Sequence, residues 1–178
     1  KVLPNNLYYA DNFNHVIKKM DINFLNINTI AGNPNVFGYL NDENMNLKGS
    51  NILFDSPSNI VLTSDESNIY ISDNEKYIRH IDNTTYEINT LKIQDNDLNI
   101  VTFSNIIDIS ISNNDDFLYI IDNYKIIYQI DISNGSNYNS KIIYKEIDNL
   151  TKIKNIIYKT LYEKHANDFY IKKFLYIL

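Results

Sequence analysis

A short sequence frame recurs three times along the chain and constrains its fold more than any other feature. In each copy an apolar residue and a tyrosine are followed, after two further residues, by an Asp-Asn pair, and a second aspartate comes nine or ten residues later. The Asp-Asn pairs begin 62 and 49 residues apart, at Asp11, Asp73 and Asp122. The tyrosines of the three copies are Tyr8, Tyr70 and Tyr119. Apolar and aromatic residues on either side of a short polar turn are typical of two β-strands joined as a hairpin.

The spacing of the copies predicts an all-β chain with the repeat organisation of a β-propeller, because a repeat of this length made of strands is typical of propeller blades. We expect one partial propeller domain over residues 1–178, containing about three four-stranded antiparallel blades. The blade units are predicted at roughly 1–31, 53–93, 101–145 and 153–178. Three blades cannot close a ring, so we expect the chain, which begins at Lys1 rather than Met, to belong to a longer product or a larger complex.

Individual strands follow from the alternation of apolar and polar residues within each unit. The first unit predicts strands at 7–11, 15–21 and 23–31, before a long loop over 32–50. The second predicts strands at 59–63, 69–73, 77–82 and 86–93, and residues 59–63 are apolar enough for a strand buried on both faces. The third predicts strands at 105–112, 118–122, 126–132 and 141–145, with a loop at 133–140. Residues 151–165 fit a strand or an amphipathic helix, and the strand keeps the register of the earlier units.

Composition excludes several classes of protein. The chain has no cysteine, which excludes a disulfide framework and thiolate metal sites within this stretch and leads us to expect the cytoplasm. Its net charge of −6 argues against nucleic acid as a partner. No apolar run approaches the roughly 18 residues of a membrane-spanning helix, so no membrane segment is expected in this stretch. The abundance of asparagine, isoleucine and tyrosine resembles that of malaria-parasite proteins.

Several spaced motifs resemble the NHL repeat. They are ADNFNHVIKKMD at 10–21, TIAG at 29–32, LFDSPSNIVL at 53–62 and NIYISDNEKYIRHID at 68–82. NHL repeats build β-propellers, most often with six blades, that serve mainly as binding scaffolds. The resemblance therefore implies a non-catalytic scaffold for protein–protein interaction, whose partners are other proteins or the remainder of its own propeller. Two alternatives stay open: a propeller enzyme of lyase or hydrolase type with its site outside this stretch, and an RNA-binding NHL domain.

Candidate functional residues are few. The three histidines, His15, His80 and His165, show no metal-ligand spacing, so we predict no metal site, no cofactor and no catalytic set. The repeated Asp11, Asp73 and Asp122 are predicted to accept backbone N–H groups within their own turns, with a ring of carboxylates as the alternative. The repeated Tyr8, Tyr70 and Tyr119 are predicted to pack between blades. The aromatic residues expected in loops, as anchors for a partner, are Tyr39, Tyr124 and Tyr138.

Overall fold

The computed structural model describes residues 6–38, 49–123, 125–135 and 138–145. Over these residues the chain is all β, as predicted, with twelve strands in three sheets and two single turns of 3-10 helix. No helix in this part of the chain is long and apolar enough to cross a membrane. The chain divides into two compact units, Lys1–Leu91 and Lys92–Leu178. The predicted fourth blade unit at 153–178 and the strand or helix at 151–165 lie outside the described residues.

The first sheet is an antiparallel meander of three strands. These are β1 (Asn6–Asp11), β2 (Val16–Asp21) and β3 (Ile27–Ala31), in the order β1-β2-β3. The strand predicted from residue 23 begins later, because residues 22–26 form a tight hairpin turn. In that turn the Asp21 N–H donates to the Asn26 carbonyl oxygen at 3.0 Å, and the Leu25 N–H donates to the Asp21 carbonyl oxygen at 2.8 Å.

The second sheet is the four-stranded antiparallel meander that a propeller blade requires. Its strands are β4 (Ile60–Leu62), β5 (Asn68–Asp73), β6 (Tyr77–Asp82) and β7 (Ile88–Thr90). The strand predicted over 86–93 is too long, since Tyr86 lies in the preceding turn at a φ of 58° and β7 ends at Thr90. β4 is half-buried along its length, whereas the sequence predicted burial on both faces.

The third sheet has five strands, one more than predicted. They are β8 (Ile93–Gln94), β9 (Ile106–Ile111), β10 (Phe117–Asp122), β11 (Ile126–Asp131) and β12 (Tyr138–Lys145), in the order β8-β12-β11-β10-β9. The extra strand β8 pairs parallel to β12, with Ile93 opposite Tyr138. β12 therefore begins three residues earlier than predicted, and Tyr138 lies in a strand, not in a loop.

The first three strands of the second sheet, β4-β5-β6, recur in the third sheet as β9-β10-β11 at an offset of 49 residues. The next strands break the offset, since Arg79 faces Thr90 whereas Tyr128 faces Ile142. The Asn68 N–H donates to the Thr63 hydroxyl oxygen at 3.0 Å, and 49 residues later the Phe117 N–H donates to the Ser112 hydroxyl oxygen at 3.0 Å. We call β4 and β9 the opening strands of these two sheets, because each immediately precedes, and pairs with, the strand that carries the repeated tyrosine. The residues just before them, 54–57 and 103–105, are the lead-in segments. The repeat extends through both lead-in segments, so positions can be compared directly.

The core of the first unit is formed between its two sheets. Its buried members are Tyr8, Ile17, Ala31, Ile52, Phe54, Ile69, Ile71, Ile81 and Ile88. Burying an aliphatic or aromatic side chain of this size contributes about 1.5–3 kcal/mol. The repeated Tyr8 is thus part of the contact between the first and second sheets.

Candidate functional site

The carboxylates of Asp73 and Asp122 each bind the lead-in segment of their own sheet. Asp73 accepts the N–H groups of Asp55 and Ser56, at 3.0 and 2.9 Å. Forty-nine residues later, Asp122 accepts the N–H groups of the two lead-in residues 104 and 105, at 3.0 and 2.7 Å. The prediction that these carboxylates bond within their own turns is wrong, because their partners precede them by 17 or 18 residues. Their role is to fix the entry of the opening strand against the end of the second strand.

The aspartate that comes nine or ten residues after each Asp-Asn pair is the one that stabilises a turn. The carboxylates of Asp21, Asp82 and Asp131 each accept the N–H group two residues further on, at 2.8, 2.7 and 3.0 Å. An aspartate that bonds two residues ahead is the usual Asx turn. The backbone bonds of Asp82 lower its pKa, because they stabilise the ionised carboxylate.

Asp11 behaves differently from its two counterparts. Its carboxylate accepts hydrogen bonds from the Lys18 ammonium at 2.6 Å and from the Asn14 amide at 2.9 Å. The Lys18 and Asn14 bonds lower the pKa of Asp11. The side chain is 19% exposed, whereas that of Asp73 is 0% exposed. Among the described residues, therefore, Asp11 stabilises only its own hairpin.

A further position beside each aspartate varies between the three sheets. By strand register, Lys18 in the first sheet corresponds to Arg79 in the second and Tyr128 in the third. Arg79 lies 3.4 Å from the Asp73 carboxylate and 5.3 Å from the centre of the Phe54 ring. Tyr128 packs edge-on against Phe103 at 5.2 Å, and burial raises its pKa with a smaller contribution from the Asp122 charge. The position beside the repeated aspartate thus holds a cation in the second sheet and a neutral phenol in the third.

The three repeated tyrosines are buried, and each faces a different side chain on the neighbouring strand. The facing pairs are Tyr8 with Lys19, Tyr70 with His80 and Tyr119 with Gln129. The Lys19 ammonium lies 5.3 Å from the Tyr8 ring, the His80 ring stacks on Tyr70 at 5.1 Å, and the Gln129 amide donates to the Tyr119 hydroxyl at 3.1 Å. Each pair is a cross-strand contact that stabilises its sheet.

Both described histidines make structural hydrogen bonds. His15 closes the turn after β1, and its Nδ1 donates to the Asp55 carbonyl oxygen at 2.6 Å. His80 lies in β6, which pairs on both sides, and its Nε2 is 2.7 Å from the Asn68 amide oxygen. In the part of the chain that the structure describes, no group of three or more His, Cys, Asp or Glu side chains is placed to hold a metal ion. His165 lies outside that part.

A cleft of about 740 Å³ with charged and apolar lining residues lies in the first unit, beside the outer strand of the first sheet. Lys19 and Asp21 of β2 contribute opposite charges to it, and Thr29, Ser50 and Tyr86 complete much of its wall. The Tyr8 hydroxyl raises the pKa of Lys19, so the ammonium form is favoured. The cleft therefore offers both signs of charge to a polar ligand, but no described contact selects a particular one.

The β2–β3 turn beside this cleft carries the most notable exposed apolar side chains. We call residues 22–27 the apolar hairpin. Its exposed apolar residues are Ile22 (46%), Phe24 (75%), Leu25 (70%) and Ile27 (53%). The sequence prediction placed residues 23–26 of this segment inside a strand, whereas the structure places them in the turn before β3. The Asx-turn position of Asp21, shared with Asp82, is the signal that could have identified a turn.

Of the tyrosines predicted as loop anchors, Tyr138 lies within the described residues. Tyr39 and Tyr124 lie outside the described residues. Tyr138, in β12, donates its hydroxyl to the Gly135 carbonyl oxygen at 3.1 Å, and burial raises its pKa. Its ring is therefore held partly within the fold.

Comparison with known proteins supports the fold and leaves the family open. No protein-family model matches the chain, and no curated protein matches it. The β-propeller domain of Cps50 (Swd1) from Myceliophteria thermophila is similar, with a TM-score of 0.51 and 13% identity over 85% of this chain and 43% of that one. A candidate phosphatase from Bacteroides thetaiotaomicron also has a TM-score of 0.51, with 14% identity over 65% of this chain and 30% of that one. The chain spans less than half the length of either structure, and at this identity the likeness establishes a fold of the β-propeller type.

Proposed function

We propose that this chain forms part of an NHL-type β-propeller that binds other proteins as a non-catalytic scaffold, and that the apolar hairpin is one of its contact surfaces. The observation that carries the proposal is the exposure of apolar side chains in a turn whose backbone does not require them. Membership of the NHL class is supported by the repeated motifs and by the likeness to a propeller domain.

The corresponding turn of the second sheet shows that polar residues support the same backbone. There the Tyr86 N–H donates to the Asp82 carbonyl oxygen at 2.7 Å, as Leu25 does to Asp21 at 2.8 Å. The second turn carries Asn83, Thr84 and Thr85 where the first carries residues 22–24. Folding alone therefore does not account for the apolar residues of the first turn.

Leu25 adds a second argument. Its φ is 56°, in the left-handed region, where a residue with a Cβ costs roughly 1–2 kcal/mol. Its side chain is 70% exposed, so burial within this unit offsets little of that cost. Exposed apolar clusters of this kind mark surfaces that bind other proteins.

Four of the described polar groups that could support catalysis are engaged in structural contacts. The carboxylates of Asp73 and Asp122 hold backbone N–H groups, and the rings of His15 and His80 bond to a carbonyl and an amide oxygen. These contacts support a scaffold in preference to the lyase or hydrolase alternative. The net charge of −6 supports a protein partner in preference to RNA.

Site-specific photocrosslinking tests the proposal. A photoreactive phenylalanine is placed at position 24, and in a matched control at position 13, where Phe13 is 93% exposed in a different turn. We expect a protein to crosslink from position 24 but not from position 13. The captured protein is then purified and titrated against the wild-type chain and the triple variant Ile22→Asn, Phe24→Thr, Leu25→Asn.

The triple variant is expected to bind at least ~10-fold more weakly, because the contact would lose its apolar anchors. Equal affinity for both chains would contradict the assignment of the surface. A hydrolase or lyase turnover that is lost on changing a residue of this chain would overturn the non-catalytic proposal. A salt-sensitive RNA complex that persists at physiological ionic strength would overturn the choice of a protein partner.

A further inference from the structure

The floor of the cleft in the first unit is one face of the first sheet. Lys19 and Asp21 lie two residues apart on β2, so their side chains point to the same face. By strand register, Asn28 of β3 lies opposite Lys19, and Asn6 of β1 lies opposite Asp21. All four residues line the cleft. The floor is therefore a two-by-two array of hydrogen-bonding side chains, of which one is cationic, one is anionic and two are neutral amides.

The walls of the cleft come from two turns. Thr85 and Tyr86 belong to the turn between β6 and β7, and Gly49 and Ser50 begin a single 3-10 turn. The Tyr86 side chain is 36% exposed and supplies an aromatic ring beside the polar floor. The volume of about 740 Å³ lies within the range of roughly 300–1,000 Å³ that is usual for small-molecule sites.

Lys19 and Asp21 each keep hydrogen-bonding capacity for a ligand. An ammonium group has three N–H donors, and the Tyr8 hydroxyl accepts one of them. The Oδ1 atom of Asp21 accepts the N–H groups of Asn23 and Phe24, at 2.8 and 3.1 Å. A carboxylate accepts hydrogen bonds through both of its oxygens, so Oδ2 can accept a further bond from a ligand.

Tyr86 stands at a backbone position that suits glycine. Its φ is 58°, and the residue at the same place in the third sheet, four positions after Asp131 as Tyr86 is after Asp82, is Gly135 with a φ of 67°. A residue with a Cβ is disfavoured in this left-handed region, and the exposed part of the ring gains nothing from burial within the unit. Backbone strain of this kind is found at ligand sites, where the side chain has a use beyond folding.

We propose that the cleft binds a neutral sugar in its pyranose form. The arrangement of the lining, more than any one contact, selects this ligand. The charges of Lys19 and Asp21 balance each other, so a neutral ligand is favoured over an ion. A sugar hydroxyl both donates and accepts, so neighbouring hydroxyls can bond to the Lys19 ammonium and the Asp21 carboxylate together. The apolar C–H face of the pyranose ring packs on the ring of Tyr86. This site is separate from the apolar hairpin and does not depend on a protein partner.

An NMR titration of the full 178-residue chain tests the inference. The probes are the methyl glycosides of glucose, galactose and mannose. Sorbitol is the control for the ring, because it carries hydroxyls on an open chain. Glycylglycine is the control for a zwitterion, which would match the two charges but offers Tyr86 no apolar face. Binding is measured by saturation transfer to the C–H protons of the probe and by the backbone amide shifts of residues 19, 28 and 86.

We expect at least one glycoside to bind saturably and at least ~10-fold more tightly than sorbitol or glycylglycine, because it satisfies the polar floor and the aromatic wall together. Tyr86→Gly is expected to weaken that glycoside by at least ~10-fold. Leu25→Gly is the matched control, since it makes the same change at the corresponding left-handed position of the first sheet, outside the cleft lining. It should leave sugar binding unchanged, whereas the contact of the apolar hairpin with a protein should weaken.

Lys19→Gln keeps the inference testable if Tyr86→Gly disturbs folding. Gln129 occupies this position in the third sheet, so the variant should fold, and the loss of the ammonium should weaken the glycoside. Three results would overturn the inference. The first is the lack of saturable binding by any of the three glycosides up to ~50 mM. The second is sorbitol or glycylglycine binding as tightly as the best glycoside. The third is an unchanged affinity in both Tyr86→Gly and Lys19→Gln, which would place the sugar elsewhere.

Discussion

The guanidinium of Arg79 lies 3.4 Å from the carboxylate of Asp73, and neither side chain is more than 1% exposed. Burial raises the pKa of Asp73, while the Ser56 N–H and the Arg79 charge act in the opposite direction. A buried ion pair adds little net stability, but removing one partner leaves an uncompensated charge in a low-dielectric site.

Replacing Arg79 with alanine is therefore expected to destabilise the second sheet by about 3–5 kcal/mol. The control is Arg79→Tyr, which introduces the residue of the third sheet at this position, Tyr128, and should cost less. Hydrogen exchange of the β5 and β6 amides across a urea series measures both losses. If the alanine variant loses less than ~1 kcal/mol in its free energy of unfolding, the Asp73 carboxylate left behind is not in a low-dielectric site, and the prediction is wrong.

His80 is expected to make the second sheet sensitive to mild acid. Burial lowers its pKa from the ordinary value of 6.5. The neutral ring therefore contributes stability that is present above pH 6.5 and is lost as the pH falls through the lowered pKa. His80→Gln, which copies Gln129 of the third sheet, should fold and remove this dependence. Stability measured at intervals from pH 7.5 to 5 tests the prediction, which fails if wild type and variant have the same slope.

Leu25→Gly is expected to stabilise the first sheet by about 0.5 kcal/mol, because glycine adopts a φ of 56° without the strain of a Cβ while the unfolded chain gains some freedom. The same variant should lower the affinity of the chain for the protein captured at the apolar hairpin. Thermal unfolding and the binding titration, run on one preparation, check both effects. A variant that is less stable and binds normally would indicate that Leu25 packs within the fold.

Gly32→Ala is expected to destabilise the first unit by at least ~2 kcal/mol, because it combines backbone strain with a steric clash. Gly32 has a φ of 92°, and a Cβ there would lie 2.4 Å from the His15 carbonyl oxygen. Gly135→Ala is the matched control, since Gly135 also has a positive φ of 67° but no atom lies within 4 Å of the added Cβ. Denaturant unfolding gives the loss in free energy of unfolding for each variant, and the difference between the two losses measures the steric clash. Equal losses would contradict the role of the close contact with the His15 carbonyl oxygen.

The paired strands of the repeated frame were predictable from sequence to within one residue. Residues 69–73 and 118–122 alternate with the strand period, and a polar turn ends each of them. The two-residue strand β8 was not predictable, because it is too short to show a period and its partner β12 lies more than forty residues away. The apolar hairpin was missed because its composition resembles a strand, although the Asx-turn position of Asp21 marks the turn.

The roles of the two aspartates in each frame also required the structure. From sequence, Asp73 and Asp82 both follow a strand and both suit a turn. Only the fold brings the lead-in segment 54–57 beside Asp73, because that contact joins residues far apart in the chain. For the same reason, sequence alone could not distinguish Asp11, which bonds within its own hairpin, from Asp73 and Asp122.

The offset of 49 residues between the second and third sheets bears on how the number of repeats in the gene can change. Hydrogen bonds such as those of Thr63 and Ser112 recur at the same offset, so the three strands β4-β5-β6 can be exchanged for β9-β10-β11 without shifting the pairing among them. Unequal recombination at matching codons would then add or remove a whole sheet and leave an intact reading frame. A protein built in this way can change its size in evolution by copy number, while the varied side chains opposite its tyrosines diverge afterwards.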